Sequence, residues 1–166
     1  MTTAQLFIVT GACGSGKTTV IPELRRLLPR FVVFDADLLQ PLEYAISGWS
    51  GLAWNVAKSD IGMIVCGNYL PQHFEPIRQK FGSHIHFLYL NLHCSDAVRR
   101  ERLEARGWEE FLIEYSRQFA QNMLELTNQV QPPIQVVVTD HLTVEETALR
   151  IRDWVLTHYK KPLATG

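Results

Sequence analysis

The chain has 166 residues, 46% apolar and 20% charged, which fits one domain with a full core and leaves little room for two. Sixteen basic residues against seventeen acidic ones give a net charge of −1, which disfavours broad binding along a nucleic-acid backbone. Three cysteines, at 13, 66 and 94, are an odd number in a chain too large to need staples, so no disulfide framework is expected and a reducing cytosol fits.

The first apolar run, at residues 6–9, is too short for a signal peptide, lacks a basic flank, and reads as a strand buried on both faces. Other apolar runs are far below membrane-spanning length, so a cytoplasmic protein is expected. After the first strand comes Gly11-Ala12-Cys13-Gly14-Ser15-Gly16-Lys17-Thr18-Thr19, which satisfies the phosphate-binding pattern G-x-x-x-x-G-K-[ST] in full. Gly11, Gly14 and Gly16 let backbone amides close on a phosphate, and a helix beginning near Gly16 adds its free N–H groups. Lys17 should reach the β- and γ-phosphates, and Thr18 should offer its hydroxyl to Mg²⁺. Cys13, Ser15 and Thr19 belong to the same nucleotide-binding stretch. Cys13 reads either as a small filler or as an oxidation-sensitive thiol. Val20-Ile21, Leu24 and Leu27-Leu28 then give a helix one apolar stripe.

A second strand, at 31–34, runs into Asp35-Ala36-Asp37. Carboxylates at i and i+2 past a strand end can face one cleft, one near a metal-bound water and the other at an acceptor hydroxyl. The plainer alternative is a solvated loop with Asp37 capping a helix that starts near Leu38. Residues 38–76 should form the acceptor side, with 38–60 its main part. This stretch has no arginine, and Lys58 is its single lysine. That counts against anionic acceptors, because a buried anion without a guanidinium partner is costly. Tyr44, Trp49, Trp54, Tyr69 and Phe74 suggest a flat or apolar acceptor instead. Glu43 and Asp60 read as solvated surface. A third strand, at 61–65, leads to Cys66-Gly67-Asn68-Tyr69 with no acid at its end. Gly67 would admit close ligand approach, and Asn68 or Tyr69 could hydrogen-bond the acceptor.

A fourth strand lies at 85–90, with His84 and His86 read as structural or surface residues. Arg99-Arg100-Glu101-Arg102-Leu103-Glu104-Ala105-Arg106-Gly107 is helix-like, and Arg102 and Arg106, four apart, share a face. A surface helix whose arginines pair with Glu101 and Glu104 is the alternative. A longer helix carries Phe111, Tyr115, Phe119 and Met123. The last strand, at 134–138, runs into Thr139-Asp140-His141, and Thr143 with Glu146 forms a capping box before the final helix. The tail at 160–166 should fray. Strands alternating with helices predict an α/β fold: a five-stranded parallel sheet with helices on both faces and ligands at the carboxyl ends of the strands.

Together these features resemble the small P-loop kinases, the group of shikimate, gluconate, adenylate and nucleoside kinases with the antibiotic phosphotransferases, over nearly the whole chain. The resemblance implies a P-loop NTPase fold of the nucleoside kinase kind, one domain over 1–166, and a short lid at 99–110. It implies ATP and Mg²⁺ as cofactors and transfer of the γ-phosphoryl group to a hydroxyl of a small, uncharged acceptor such as a nucleoside or antibiotic. Asp35 would join Thr18 at the metal and Asp37 would be the base, although the two aspartates could exchange roles. Arg102 would stack over adenine, Arg106 would join Lys17 in offsetting charge on the moving phosphoryl group, and adenine would pack against the turn at Thr139. A nucleotide-dependent switch and a kinase of an anionic acceptor are the other readings. No nucleic-acid or membrane partner is expected, and the protein should be a monomer or homodimer.

Overall fold

Each of the five apolar runs forms a strand in the computed structural model, which describes residues 3–161. They are β1 (Ala4–Thr10), β2 (Phe31–Asp35), β3 (Gly62–Cys66), β4 (Ile85–His93) and β5 (Gln135–Val138). All neighbours pair in parallel, in the order β2-β3-β1-β4-β5. Six helices connect and follow them: α1 (Ile21–Leu27), α2 (Leu42–Ala57), α3 (Glu75–Phe81), α4 (Asp96–Glu104), α5 (Glu110–Gln129) and α6 (Val144–His158). The expectation for the tail concerns residues that, past 161, lie outside those described.

Alternation along β1 builds two cores. Phe7 and Val9 pack with Leu24 of α1 and Ile151, Trp154 and Val155 of α6. Leu6 and Ile8 face the other way, onto Ala45, Ile46, Trp49 and Ala53 of α2 and onto Phe74. Both faces are thus covered, which is why the strands read as continuous apolar runs rather than alternating ones. The inward stripe of α2 holds Ala45, Trp49, Ala53 and Ala57 at four-residue spacing. Its small side chains let the helix sit close to β1 and β3.

The strand order decides where a ligand can bind. From β1 the chain first fills one side, with β2 and β3, and then the other, with β4 and β5. Connections therefore diverge at the carboxyl end of β1, and a crevice opens there. Several boundaries differ from the sequence expectation. Helix α1 begins at Ile21 rather than near Gly16. Pro22 has no N–H for the Thr18 carbonyl, so Ile21 N–H bonds that carbonyl instead, at 3.3 Å, in a tighter turn. Strand β4 runs on to His93, whereas β5 starts at Gln135 rather than at Ile134, whose N–H is bonded to the Thr127 carbonyl of α5 at 3.2 Å. No helix among the described residues is long and apolar enough to cross a membrane.

The expected capping box forms at α6. Thr143 Oγ1 accepts from Glu146 N–H at 3.1 Å, and Glu146 Oε2 accepts from Thr143 N–H at 2.8 Å. Thr143→Ala is expected to lower unfolding stability by about 1 kcal/mol, measured by urea denaturation.

Candidate active site

The loop between β1 and α1 fills the crevice. Gly11, Gly14 and Gly16 have φ of 148°, 83° and 99°, values a side chain disfavours. Four successive carbonyls of the loop, from Ala12 to Ser15, are each held by a side chain. Lys17 Nζ donates to the Ala12 carbonyl at 2.7 Å, and Ser116 Oγ of α5 donates to the Cys13 carbonyl at 3.0 Å. Arg102 Nη1 of α4 donates to the Gly14 carbonyl at 2.9 Å, with the Cys94 thiol at 3.6 Å. Thr139 Oγ1 shares its proton between the Ser15 carbonyl at 3.2 Å and the His93 carbonyl at 3.3 Å. Among the described residues no acceptor takes the N–H groups of Cys13, Gly14, Gly16, Lys17, Thr18 or Thr19. A Cβ built on Gly16 would meet nothing within 4 Å. A run of free amides beside open space is a fit for a polyphosphate anion.

Lys17 is 8% exposed and folded back on the loop. Burial pushes its amine down from 10.5 to about 8, against smaller opposing effects from Cys13, Cys66 and Asp35. Burial likewise pushes the Cys66 thiol up to about 12, so Cys66 stays neutral beneath the site. Thr18 and Thr19 are exposed at the loop's outer rim. Asp35 ends β2, two strands from β1, and is paired in register with Cys66 of β3.

Asp35, not Asp37, is the capping residue. Its Oδ1 accepts from Asp37 N–H at 3.0 Å and starts a short 3-10 turn, Ala36–Leu38. That bond orients Asp35, whose other oxygen has no hydrogen-bond partner among the described residues. Asp37 stands exposed at the rim with no hydrogen-bond partner for its carboxylate among the described residues.

The two arginines of the expected lid part company. The α4 helix closes by a 6→1 bond from Trp108 N–H to the Leu103 carbonyl at 3.1 Å and a 5→2 bond from Gly107 N–H to the Glu104 carbonyl at 2.9 Å. Arg106 is therefore the last residue before a reversal rather than a mid-helix neighbour of Arg102. Arg102 is half-buried on the loop and on the Thr139 carbonyl, while Arg106 is exposed and without a side-chain partner among the described residues. Between α4 and α5, within the stretch expected to be a lid, lies a five-residue turn, 105–109. Arg100 spans it and grips Glu110 through two bonds of 2.7 Å.

The expected acceptor residues divide sharply. Asp37 and Asn68 are exposed at the carboxyl edge, and Tyr44, 71% exposed, stands in the first turn of α2. Asn68 Nδ2 donates to Cys13 Sγ at 3.3 Å, which ties the end of β3 to the phosphate loop. Trp49 and Tyr69 are corrected to core residues, 1% and 4% exposed; the indole N–H donates to the Tyr69 hydroxyl at 2.8 Å. Trp54 is corrected to the far end of the molecule. It lies in the last turn of α2 against His84, which precedes β4 at the amino end of the sheet. Gly67 is required by packing rather than by a ligand, since a Cβ there would sit 2.1 Å from Ala36 Cβ. Asp60 also lies at the amino end, between Arg30 and Lys161.

Sequence reasoning missed Ser116 and Arg99. Arg99 is 1% exposed beneath Gly14, bonded to Asp96 and to the Cys94 carbonyl at 2.6 Å. Its place in a basic helix gave no signal of burial. Asp140 accepts Ser95 N–H at 3.0 Å and so joins the ends of β4 and β5; that contact holds its carboxyl below the usual range.

The fold is that of the small P-loop kinases. Shikimate kinase from Acinetobacter baumannii, solved with shikimate, superposes with a TM-score of 0.58 at 16% identity, over 96% of both chains. A Chloroflexus aurantiacus protein, described provisionally as a kinase, gives 0.63 at 18% identity over 96% of this chain and 100% of that one. A sugar kinase from a Janibacter species, solved without ligand, gives 0.58 at 17% identity over 94% and 96%. Neither a protein-family model nor a curated protein sequence matches the chain.

Gly67→Ala should lower stability by about 1–3 kcal/mol even without ligand, read as a fall in thermal midpoint. The depressed Lys17 amine sets a pH limit. Below pH 8 the free protein already carries the ammonium that a phosphate needs; above it the proton must be taken up on binding. Nucleotide affinity should therefore fall by up to about tenfold per unit as pH rises past 8. Lys17→Met should bind weakly and lose that alkaline limb, measured by calorimetry between pH 7 and 9.5.

Proposed function

We propose that this protein is an ATP-dependent kinase of a small molecule, transferring the γ-phosphoryl group to a hydroxyl. The observation that carries this reading is the run of free amides on the loop beside Lys17, with Asp35 and Asp37 at the end of a nearby strand. The fold shared with a shikimate kinase and a sugar kinase supports it.

Each residue then has a defined task. The free amides of Cys13, Gly14 and Gly16 to Thr19 bind the phosphates. Lys17 exchanges its bond to the Ala12 carbonyl for phosphate oxygens and offsets their charge. Thr18 and Asp35 would hold a magnesium ion, which would supply charge neutralisation of the phosphates when bound. Asp37 orients the acceptor hydroxyl and accepts its proton at a carboxylate oxygen. Arg106, unpaired at the end of α4, is the arginine free to meet charge on the transferred group.

The acceptor is an uncharged molecule with apolar or aromatic surface, of which nucleosides and aromatic antibiotics are examples. Lys58, the one lysine of the acceptor stretch, sits 5.8 Å over the Trp54 ring at the wrong end of α2 to hold an anion. Arg117 of α5 is taken up by Glu114 at 2.6 and 2.8 Å. Meanwhile Leu38, Leu42 and Tyr44 are exposed beside Asp37 in sequence, and Phe111 and Tyr115 are exposed on the α5 turns next to Ser116.

Lys17→Ala should abolish turnover. Asp37→Asn should cut the rate by about 10² or more while ATP affinity stays near the wild-type value. Phosphoryl transfer from ATP, followed by mass spectrometry, should succeed with members of a nucleoside and aromatic-antibiotic panel. Transfer only to shikimate or gluconate would overturn the acceptor class, and nucleotide hydrolysis with no transfer to any alcohol would overturn the kinase reading.

A further inference from the structure

Buried helix hydroxyls in this protein turn back on their own helix, with one exception. Ser50, Thr127 and Thr147 each donate to the carbonyl four residues earlier, at 2.8, 2.7 and 2.9 Å. That is the ordinary fate of a hydroxyl inside a helix. Ser116, in α5 and 2% exposed, donates instead to the Cys13 carbonyl, 103 residues away in sequence. The next carbonyl, that of Gly14, is held by Arg102 of α4. Helices α4 and α5 form one hairpin, strapped by Arg100 and Glu110. A single supersecondary unit thus delivers two donors to two successive carbonyls of the phosphate loop.

The peptide unit is planar and trans, so its carbonyl and its N–H point to opposite edges. Holding the Cys13 carbonyl toward α5 turns the Gly14 N–H the other way, into the open cradle. We propose that Ser116 is a positioning residue for phosphate binding, which holds the Cys13–Gly14 peptide plane with its N–H toward the ligand. Ser116 touches no substrate; it acts through the backbone. The inference rests on reading the loop as a nucleotide site, and it adds α5 to the machinery of that site.

The test compares wild type, Ser116→Cys and Ser116→Ala by calorimetry with ADP and, separately, with inorganic pyrophosphate. Losing one hydrogen bond of ordinary net worth should weaken ADP about fivefold in the alanine variant, with cysteine, a poorer donor, in between. Pyrophosphate should weaken by the same factor, because the defect lies in the cradle and not at the base. In turnover the KM for ATP should rise with kcat within about twofold of wild type. A general loosening of α5 would instead lower the thermal midpoint and leave the ADP and pyrophosphate ratios unequal, which overturns the proposal. Equal ADP affinity in all three proteins also overturns it. If wild type itself binds neither ADP nor pyrophosphate, the nucleotide reading fails first and this inference falls with it. Should the alanine variant not fold, the cysteine variant alone decides: unchanged pyrophosphate affinity refutes the role.

Discussion

The orientation of four consecutive carbonyls, from Ala12 to Ser15, is the constraint on which the site depends. A glycine-rich loop can take many shapes, and its flexibility is a cost until something selects one. Here the selection comes from Lys17 of the loop itself and from three donors on separate elements: Ser116, Arg102 and Thr139. With the carbonyls engaged, the amides are left to face the crevice. The arrangement of free amides is therefore a product of the whole fold. The parallel sheet supplies the crevice, the ends of β4 and β5 bring Cys94 and Thr139 under the loop, and the α4–α5 hairpin reaches over it.

Much of this was legible in the sequence, for identifiable physical reasons. Strands buried on both faces leave continuous apolar runs, and all five were visible. The phosphate loop was visible because its chemistry demands particular residues at fixed spacing. The capping box at Thr143 and Glu146 was visible because it is local. Contacts between distant residues were not. Nothing in a mid-helix serine distinguishes Ser116 from Ser50, yet one reaches across the molecule and the other bonds its own helix. Likewise Tyr44 and Trp54 are both aromatic residues of one helix, but about 15 Å of rise puts them at opposite ends of the sheet. Composition identified an aromatic-rich stretch; only the direction of α2 shows which end is at the cleft. Gly67 gave a misleading signal, since close approach to Ala36 and close approach to a ligand demand the same residue.

The electrostatics of the cleft are sparse. Most arginines near it are spoken for: Arg99 by Asp96, Arg100 by Glu110, Arg102 by the loop and Arg117 by Glu114. Arg106 has no side-chain partner among the described residues. That guanidinium and one buried lysine suit a phosphate that carries its own counter-ion better than they suit a second anion. Below the cleft, the hydrogen bond between Trp49 and Tyr69 seals the layer between α2 and β3. A floor packed this way presents a set shape to whatever sits on it.

The bond between Lys17 and the Ala12 carbonyl makes the resting loop self-closing. The amine occupies an internal partner until a better one arrives, so ligand capture requires a swap rather than simple occupation. A ligand that releases this latch needs enough negative charge to compensate for breaking an existing contact. Weakly charged molecules would leave the latch shut, and discrimination would begin before any base or acceptor is read.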